Sequence, residues 1–388
     1  MKNKCMRTAA LAATTFMGAN VCAQSNVTIY GVADAAMVYT NNQGGDSNTY
    51  MRSGNLSASK IGFQGVEDLG GDLKALFLLE SGFELDNGAQ SSAGSLFNRQ
   101  AYLGLQSKAY GTLTAGRQYT PAYLLVGSLA SSNITTGATG AHPGDIDGLD
   151  TTVRISNSLS YSMPEWRGLQ ASAQYGFGET AESNSVGSSF GAAVKYSTSP
   201  AEFALGYQKL RNGNTSTGWS SGASGSFGVS AINQGYASAD SAQFITAAAR
   251  YTVGKLMVGA NASNVQYAAG SRSAFRGTAI LNTAGLISSY QLTPHWFLGA
   301  AYSDTRATRA NGIDSRASYK QLSLEQAYVF SKRTSFYLVE ARQLARGQTL
   351  GANGEIVNAV ASVGDSQNGS PSSNGGQTVI MAGLKHSF

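Results

Sequence analysis

Thr378-Val-Ile-Met-Ala-Gly-Leu-Lys-His-Ser-Phe388 is the stretch on which the fold turns. Read with period two, Ile380, Ala382, Leu384, His386 and Phe388 share one face, and Val379, Met381, Gly383, Lys385 and Ser387 share the other. A β-strand sends alternate side chains to opposite faces, and about 9–11 residues of tilted strand cross a bilayer. Soluble sheets alternate too, so the meaning of one such strand depends on repetition. The unit does recur. Alternating segments fall at 27–38, 56–66, 72–84, 98–106, 111–118, 152–161, 168–177, 190–197, 201–210, 243–251, 255–265, 278–290, 295–303, 319–329, 334–344 and 378–388, an even set of sixteen. Within 168–177, Leu169, Ala171, Ala173, Tyr175 and Phe177 oppose Gln170, Ser172 and Gln174. Tyr175, Tyr207, Tyr251, Tyr290 and Tyr328 close apolar faces at strand ends, as an aromatic girdle at a membrane interface would.

The links between these segments sort by length. Short ones such as 67–71, 107–110, 197–200, 252–254 and 330–333 alternate with long ones at 39–55, 85–97, 119–151, 178–189, 211–242, 266–277, 304–318 and 345–377. Seven short and eight long links put both ends of the set on the short-turn side. All-β, antiparallel transmembrane β-barrels are built in this way, with short periplasmic turns and long extracellular loops. Closure satisfies every backbone N–H and C=O without water. Sixteen to eighteen strands leave an aqueous channel, whereas eight pack shut with side chains.

Composition agrees. The chain of 388 residues holds 47 Gly and 19 Tyr and is 13% charged, against about 25% charged in a soluble domain. Outside the first 23 residues it has no apolar run long enough for a membrane helix. Residues 1–23 carry the parts of a secretory signal: Lys2, Lys4 and Arg7, then the small and apolar stretch 8–19, then Val21-Cys22-Ala23, with cleavage expected after Ala23. Ala19 and Val21 are not the Leu and small residue that lipidation at Cys22 calls for. Cys5 and Cys22 leave with the signal, so the barrel domain, 24–388, has no thiol for a disulfide, a thiolate metal site or a nucleophile. Losing three basic and no acidic residues takes the formal charge from +5 to +2, which gives no support to nucleic-acid binding.

Val27-Thr-Ile-Tyr-Gly-Val-Ala-Asp34, Gly62-Phe-Gln-Gly-Val-Glu-Asp-Leu-Gly-Gly-Asp-Leu-Lys-Ala75, Phe97-Asn-Arg-Gln-Ala-Tyr-Leu-Gly-Leu105, Tyr110-Gly-Thr-Leu-Thr-Ala-Gly-Arg-Gln118, Ser331-Lys-Arg-Thr334 and the Phe-terminated last strand resemble the general porins of β-proteobacteria and Neisseria. The resemblance implies a homotrimer of sixteen-stranded barrels in the outer membrane of a Gram-negative bacterium. Each barrel would have its third long loop, here 119–151, folded inward to narrow the pore. It also implies a ladder of basic residues on the wall facing that loop, which by matching motifs falls on Lys60, Arg99 and Arg154, with Arg117 beside them. Lys60 stands where Arg is usual and Gln64 where a second base is common, so the implied anion preference is small. The acids facing the ladder would be Asp145, Asp147 and Asp150; Asp145-Ile-Asp-Gly148 alone lacks the remaining ligands of a calcium loop. Facing rows of opposite charge set up a transverse field, and rings of Arg or Lys attract anions.

Parity supports Lys60 and Arg154 as inward, since Ile61, Phe63, Val153 and Ile155 take the other face. It opposes Arg99, which shares a face with Ala101 and Leu103, and Arg117, which shares one with Leu113 and Ala115. Either a β-bulge re-aims these side chains or these segments lie against a neighbouring protomer. Asp34, Lys74, Glu80 and Lys385 are expected to face the lumen. The strand at 27–38 is the expected partner of the last strand, and Phe388 resembles the signal read by the barrel-assembly machinery.

The expected function is therefore a water-filled channel for passive diffusion of small hydrophilic solutes and inorganic ions, with outer-membrane lipid and lipopolysaccharide as surroundings and no cofactor or metal. An enzyme would need a positioned base or nucleophile, and His142, His295 and His386 have no neighbouring Ser or Asp motif. A surface-binding adhesin, using loops 211–242 and 345–377, is the alternative; their Gly, Ser and Asn also suit mobile cover. Sugar-specific channels want an aromatic track along the lumen, and Tyr30 alone leaves the apolar face.

Overall fold

A computed structural model describes residues 26–388 apart from 182, 184, 214–218, 220–222, 226–229 and 367–369; the signal expected at 1–23, with its cysteines, lies outside the described residues. Sixteen antiparallel strands close into one ring. They are β1 (Asn26–Gln43), β2 (Lys60–Gly70), β3 (Leu73–Gly82), β4 (Gln100–Ser107), β5 (Gly111–Tyr119), β6 (Arg154–Ser162), β7 (Leu169–Gly176) and β8 (Ser189–Thr198), followed by β9 (Ala201–Arg211), β10 (Ser241–Val253), β11 (Leu256–Ala268), β12 (Ala279–Gln291), β13 (Trp296–Ala307), β14 (Ser318–Val329), β15 (Thr334–Arg346) and β16 (Gly376–Ser387). The two-residue period places every side chain. Ile29, Leu103, Leu205, Leu286 and Leu384 are more than half exposed on the outside, while Gln174, Gln208, Thr246, Ser263, Ser323 and Gln343 are buried on the inside. An apolar exterior around a polar interior is the arrangement of a barrel solvated by lipid outside and water within.

The ring closes where the sequence places its seam. β1 pairs with β16 from Val32 opposite Ser387 to Thr40 opposite Val379. Phe388 extends the seam, exchanging two 3.1 Å backbone hydrogen bonds with Gly31. Its ring lies over Gly31 so closely that a Cβ there would come within 2.3 Å of it. Only glycine leaves room for that ring.

Three long links depart from the expected loops. β1 runs five residues further, to Gln43, and returns as Asp46–Ser53, paired with Ala35–Gln43 around Gly44 and Gly45. The next strand starts late, at Lys60, because the chain before it is tied down: Asp34 Oδ2 accepts from the Leu56 and Ser57 amides at 2.9 and 2.7 Å. The links at 211–242 and 345–377 have a composition that suits mobile cover, yet described residues of both pack inward. Ile232, Tyr236, Phe275, Ile313, Leu350 and Ala361 form one buried cluster with wall residues Phe244, Tyr267, Leu281 and Tyr319. Tyr236 stacks on Tyr267 at 5.0 Å and meets Phe275 edge-on. Each apolar side chain fully buried in this way contributes about 1.5–3 kcal/mol, so loops from one side of the mouth form a fixed roof. The same packing explains Val379 and Met381, apolar residues on a face that should be polar. Both are covered, in a cluster with Val38, Tyr337, Val339 and the loop residue Val363.

Candidate functional site

The segment after β5 turns into the barrel. Thr120 caps a short helix, α1 (Pro121–Leu125), by accepting from the Tyr123 amide at 3.1 Å. Beyond it the chain crosses the lumen along the far wall. Val126, Leu129, Ala130 and Leu149 pack on Ala193, Ala204 and Ala248, small residues on the inner faces of β8, β9 and β10 that leave space for a covering segment. Gly137, at φ 58°, lets the crossing press against the Asn55 carbonyl, where a Cβ would sit 2.3 Å away. Gln321 on β14 donates to the Thr139 and Ala141 carbonyls, both at 2.8 Å, and Thr136 donates to Ser323 at 3.0 Å. The segment is pinned at both ends and in the middle.

The middle pin is a buried clasp. His142 Nδ1 lies 2.5 Å from Asp147 Oδ2, and Nε2 lies 2.7 Å from Asn261 Oδ1 on β11. Two acceptors facing one imidazole are both satisfied only by the doubly protonated ring. Burial alone would lower the His142 pKa, but the Asp147 charge and these hydrogen bonds override it and hold it above the ordinary 6.5. Burial would raise Asp147, but His142 overrides that and holds it below 3.8. The sign follows for each partner. Stabilisation from a raised histidine is complete below 6.5 and is lost as pH climbs through the raised value. Stabilisation from a lowered carboxylate is present above 3.8 and is lost as pH falls through the lowered value. The clasp therefore holds over a plateau between two losses. Open-channel current noise should be flat across that plateau and rise on both sides of it, and His142→Gln should be noisy throughout. A wild-type trace insensitive to pH at both ends would refute the clasp.

The three expected acids are not equivalent. Asp145 is 2% exposed; its carboxylate accepts from the Asp150 amide at 2.9 Å, the Thr152 amide at 3.2 Å and the Thr152 hydroxyl. Asp147 is 1% exposed and occupied by His142. The expectation that both face the basic ladder is corrected: their oxygens are used to shape the crossing segment. Burial, followed by the charges of Asp150 and Asp147, also pushes the Asp145 carboxyl well above the usual carboxylate range. Asp150 is the acid on which Arg99 and Arg154 act.

The basic side is brought together around Tyr119. The guanidinium carbons of Arg99 and Arg154 lie 5.8 and 5.4 Å from its ring centroid. Arg99 Nε donates to Glu80 Oε1 at 2.9 Å, Lys60 Nζ lies 3.6 Å from Glu80 Oε2, and the Tyr30 hydroxyl donates to that oxygen at 2.8 Å. One buried carboxylate thus carries two cations. Arg99 reaches inward despite its parity because the β4 ladder starts only at Gln100, after Asn98 has accepted from the Gly82 amide at 2.8 Å. Arg117 sits where the β5–β6 register shifts between Gly116 and Gln118. It donates to the Asn98 carbonyl and the Ser156 hydroxyl, both at 2.7 Å. Of the two explanations left open by parity, a bulge is present at Arg117. Arg99, Arg117 and Arg154 border one cavity of about 430 Å³, shared with Ser53, Thr152 and Asp365.

The remaining expected residues fall elsewhere. Asp34 is fully buried, accepting from the Tyr337 hydroxyl at 2.5 Å as well as from the loop amides. Lys385 stands opposite it across the seam, half-buried. Lys74 faces in near the short-turn end, opposite Asp68 and Gln106, away from the arginines. A second inward charge group, Lys195–Glu202–Arg250, has Glu202 in ion-pair contact with both cations. Its members lie on inward positions of β8, β9 and β10, where alternation alone could have found them.

The chain matches the family model described as Gram-negative porin over residues 8–348. It is 32% identical over 254 residues to outer membrane porin protein 32 of Delftia acidovorans, covering 60% of this chain and 68% of that one. It is 30% identical over 224 residues to an outer membrane porin protein of Bordetella pertussis, covering 50% of this chain and 56% of the relative. The solved anion-selective porin from Comamonas acidovorans superposes with a TM-score of 0.72 at 23% identity, over 94% of this chain and all of the other.

Proposed function

Since this chain belongs to the Gram-negative porin family, we propose that it is a general diffusion porin of the outer membrane, passing small hydrophilic solutes and inorganic ions with a weak preference for anions. The observation that carries the preference is an imbalance across the lumen. Lys60, Arg99, Arg117 and Arg154 gather on one wall, while Asp145 and Asp147 are bound up within the crossing segment. Four cations clustered on one wall, with two of the crossing segment's carboxylates turned away from them, raise the local anion concentration beside them. In this reading 119–151 is the constriction loop, Glu80 spaces two of the cations, and Asp34 and Lys385 hold the seam. The unit is a homotrimer in lipopolysaccharide-bearing membrane, and the route is a channel, not an enzyme. His142 is held in its clasp, His295 bonds the Val329 carbonyl at 2.9 Å, and His386 lies on the outer face beside Thr334.

The test is a planar-bilayer recording of the purified protein in a KCl gradient. Stepwise conductance with a reversal potential on the anion side is expected. A cation-side potential removes the selectivity reading, and the absence of steps at every voltage removes the pore.

Phe388 is the part proposed to be read during assembly, for its backbone completes the seam and its ring caps Gly31. Deleting it should cut outer-membrane levels several-fold, while the molecules that do insert keep normal conductance, because the residue lies on the outer face of the wall and not in the lumen. Normal levels of the truncated chain would refute this.

A further inference from the structure

The lumen wall carries an apolar strip on β2, β3 and β4, where water-facing polar side chains are expected. Register fixes its layout. Glu80 on β3 stands between Gly62 and Gln100. One inward step toward the short turns, Leu78 stands between Gln64 and Tyr102, and one further, Leu76 stands between Val66 and Gly104. These residues share the parity of Lys60 and Glu80 and face inward, while Phe63, Phe77, Leu79 and Leu103 between them face out. The expectation that Tyr30 alone leaves the apolar face is therefore corrected, since Tyr102 does so too. Other inward apolar groups are covered. Phe244, Tyr267 and Leu281 lie under the roof, Val379 and Met381 under Val363, and Met257 and Ile287 under Ile134 of the crossing segment. The strip is open to the lumen: Val66 is 45% exposed, and Leu76, Leu78 and Tyr102 are half-buried. Leu76 leans over Gly104 and the Tyr30 ring over Gly62, positions where a Cβ would crowd them. Both side chains therefore lie flat on the wall.

Charge gives the strip a direction. At its upper end Lys60 and Arg99 share the single carboxylate of Glu80, at 3.6 and 2.9 Å, which leaves one positive charge in excess. The Lys60 side chain is a quarter exposed. The next charges on that side, Asp34 and Lys385, face each other across the seam. At the lower end Lys74 stands opposite Asp68, so those two charges cancel. Successive inward residues are about 6.6 Å apart along a strand, so the excess charge lies one step from Leu78 and Tyr102 and two from Leu76. A cation at one end of a half-exposed apolar face is complementary to an anion that carries an apolar body.

We propose that this strip is a subsite for monocarboxylates with a compact apolar body, an aryl ring or a branched chain. The carboxylate sits at Lys60, and the body lies along Leu78, Tyr102 and Leu76. The assignment rests on the pore reading above and adds a solute class that a purely hydrophilic channel would not favour. A solute that has passed the arginines around Tyr119 meets the strip next, on the side of the short turns.

The test is block of chloride current through the full-length protein in planar bilayers, read as the acid concentration that halves the single-channel current. For the wild type that concentration should be about tenfold lower for phenylpropionate than for propionate. Leu76→Gln with Leu78→Gln should erase the difference, raising the phenylpropionate value about tenfold and leaving the propionate value where it was. Leu76→Met with Leu78→Met should keep the difference, and Lys60→Gln should weaken both acids about threefold. Equal block by the two acids in the wild type overturns the subsite, as does an unchanged phenylpropionate value in the glutamine pair. Equal block by phenylpropanol, which lacks the charge, would leave an apolar face with no call for an anion and also overturns it. Chloride steps in each variant report that the pore has formed. A wild type without steps removes the pore reading itself, whereas normal steps with no difference between the acids remove only the subsite.

Discussion

Replacing Arg99 and Arg154 together by glutamine should abolish the anion preference, moving the reversal potential in a KCl gradient to or past zero. The two guanidinium groups share Tyr119 and stand with Lys60 and Arg117, so the substitution removes two of the four positive charges on the wall. At roughly 6 Å from a passing ion in water-like dielectric, each charge is worth about 0.7 kcal/mol. Losing two therefore lowers the local anion concentration by about tenfold and raises the local cation concentration by about as much. Glutamine is chosen because an amide at 99 can still donate to Glu80. An apolar residue would strand a buried carboxylate at a cost of about 3–5 kcal/mol and confuse selectivity with misfolding. An unchanged reversal potential in well-folded protein would show that ion choice is made elsewhere, with Lys195, Glu202 and Arg250 the next group to test.

Excising 135–148 should raise single-channel conductance on the order of twofold, since the crossing segment occupies lumen that a wet pore would otherwise use. The excision is geometrically mild. Asn133 Nδ2 already donates to the Gly127 carbonyl at 2.9 Å and to the Leu149 carbonyl at 3.4 Å, so the new ends are neighbours. It removes the His142–Asp147 clasp and takes Ile146 out of the roof cluster, so thermal unfolding should shift down as conductance goes up. Conductance at the wild-type value would mean that the narrowing lies outside this segment. The pH-dependent noise expected of the clasp should also disappear from the shortened chain, which ties the two measurements to one cause.

The ring was legible in the sequence because each strand makes the same local statement: apolar one way, polar the other. Lys60 could be placed by that statement alone. Arg99 could not, since it stands one residue before its ladder, and parity has no authority outside a ladder. The roof was hidden for a different reason. Gly, Ser and Asn describe a loop's freedom but not what its few large residues touch, and Tyr236 meets Tyr267 and Phe275 only after the strands have set their distances. Ala193, Ala204 and Ala248 carry little weight on a strand read alone; they mark the path of the crossing segment once that segment is in view. Asp147 looked like a pore acid because its partner, Asn261-bound His142, reads as an isolated histidine.

The seam between β1 and β16 bears on the order of events in the life of the chain. Gly31 and Phe388 are neighbours in space and stand at opposite ends of the barrel sequence. Contacts of such separation require the largest loop to be closed and form last. Until then both edge strands offer unpaired backbone to any other strand they meet. The open sheet is thus vulnerable for the whole of its lifetime, and the hairpins between short turns can form long before that exposure ends. Holding the edges apart from one another's copies, and together with each other, is the task that any helper of this barrel has to perform.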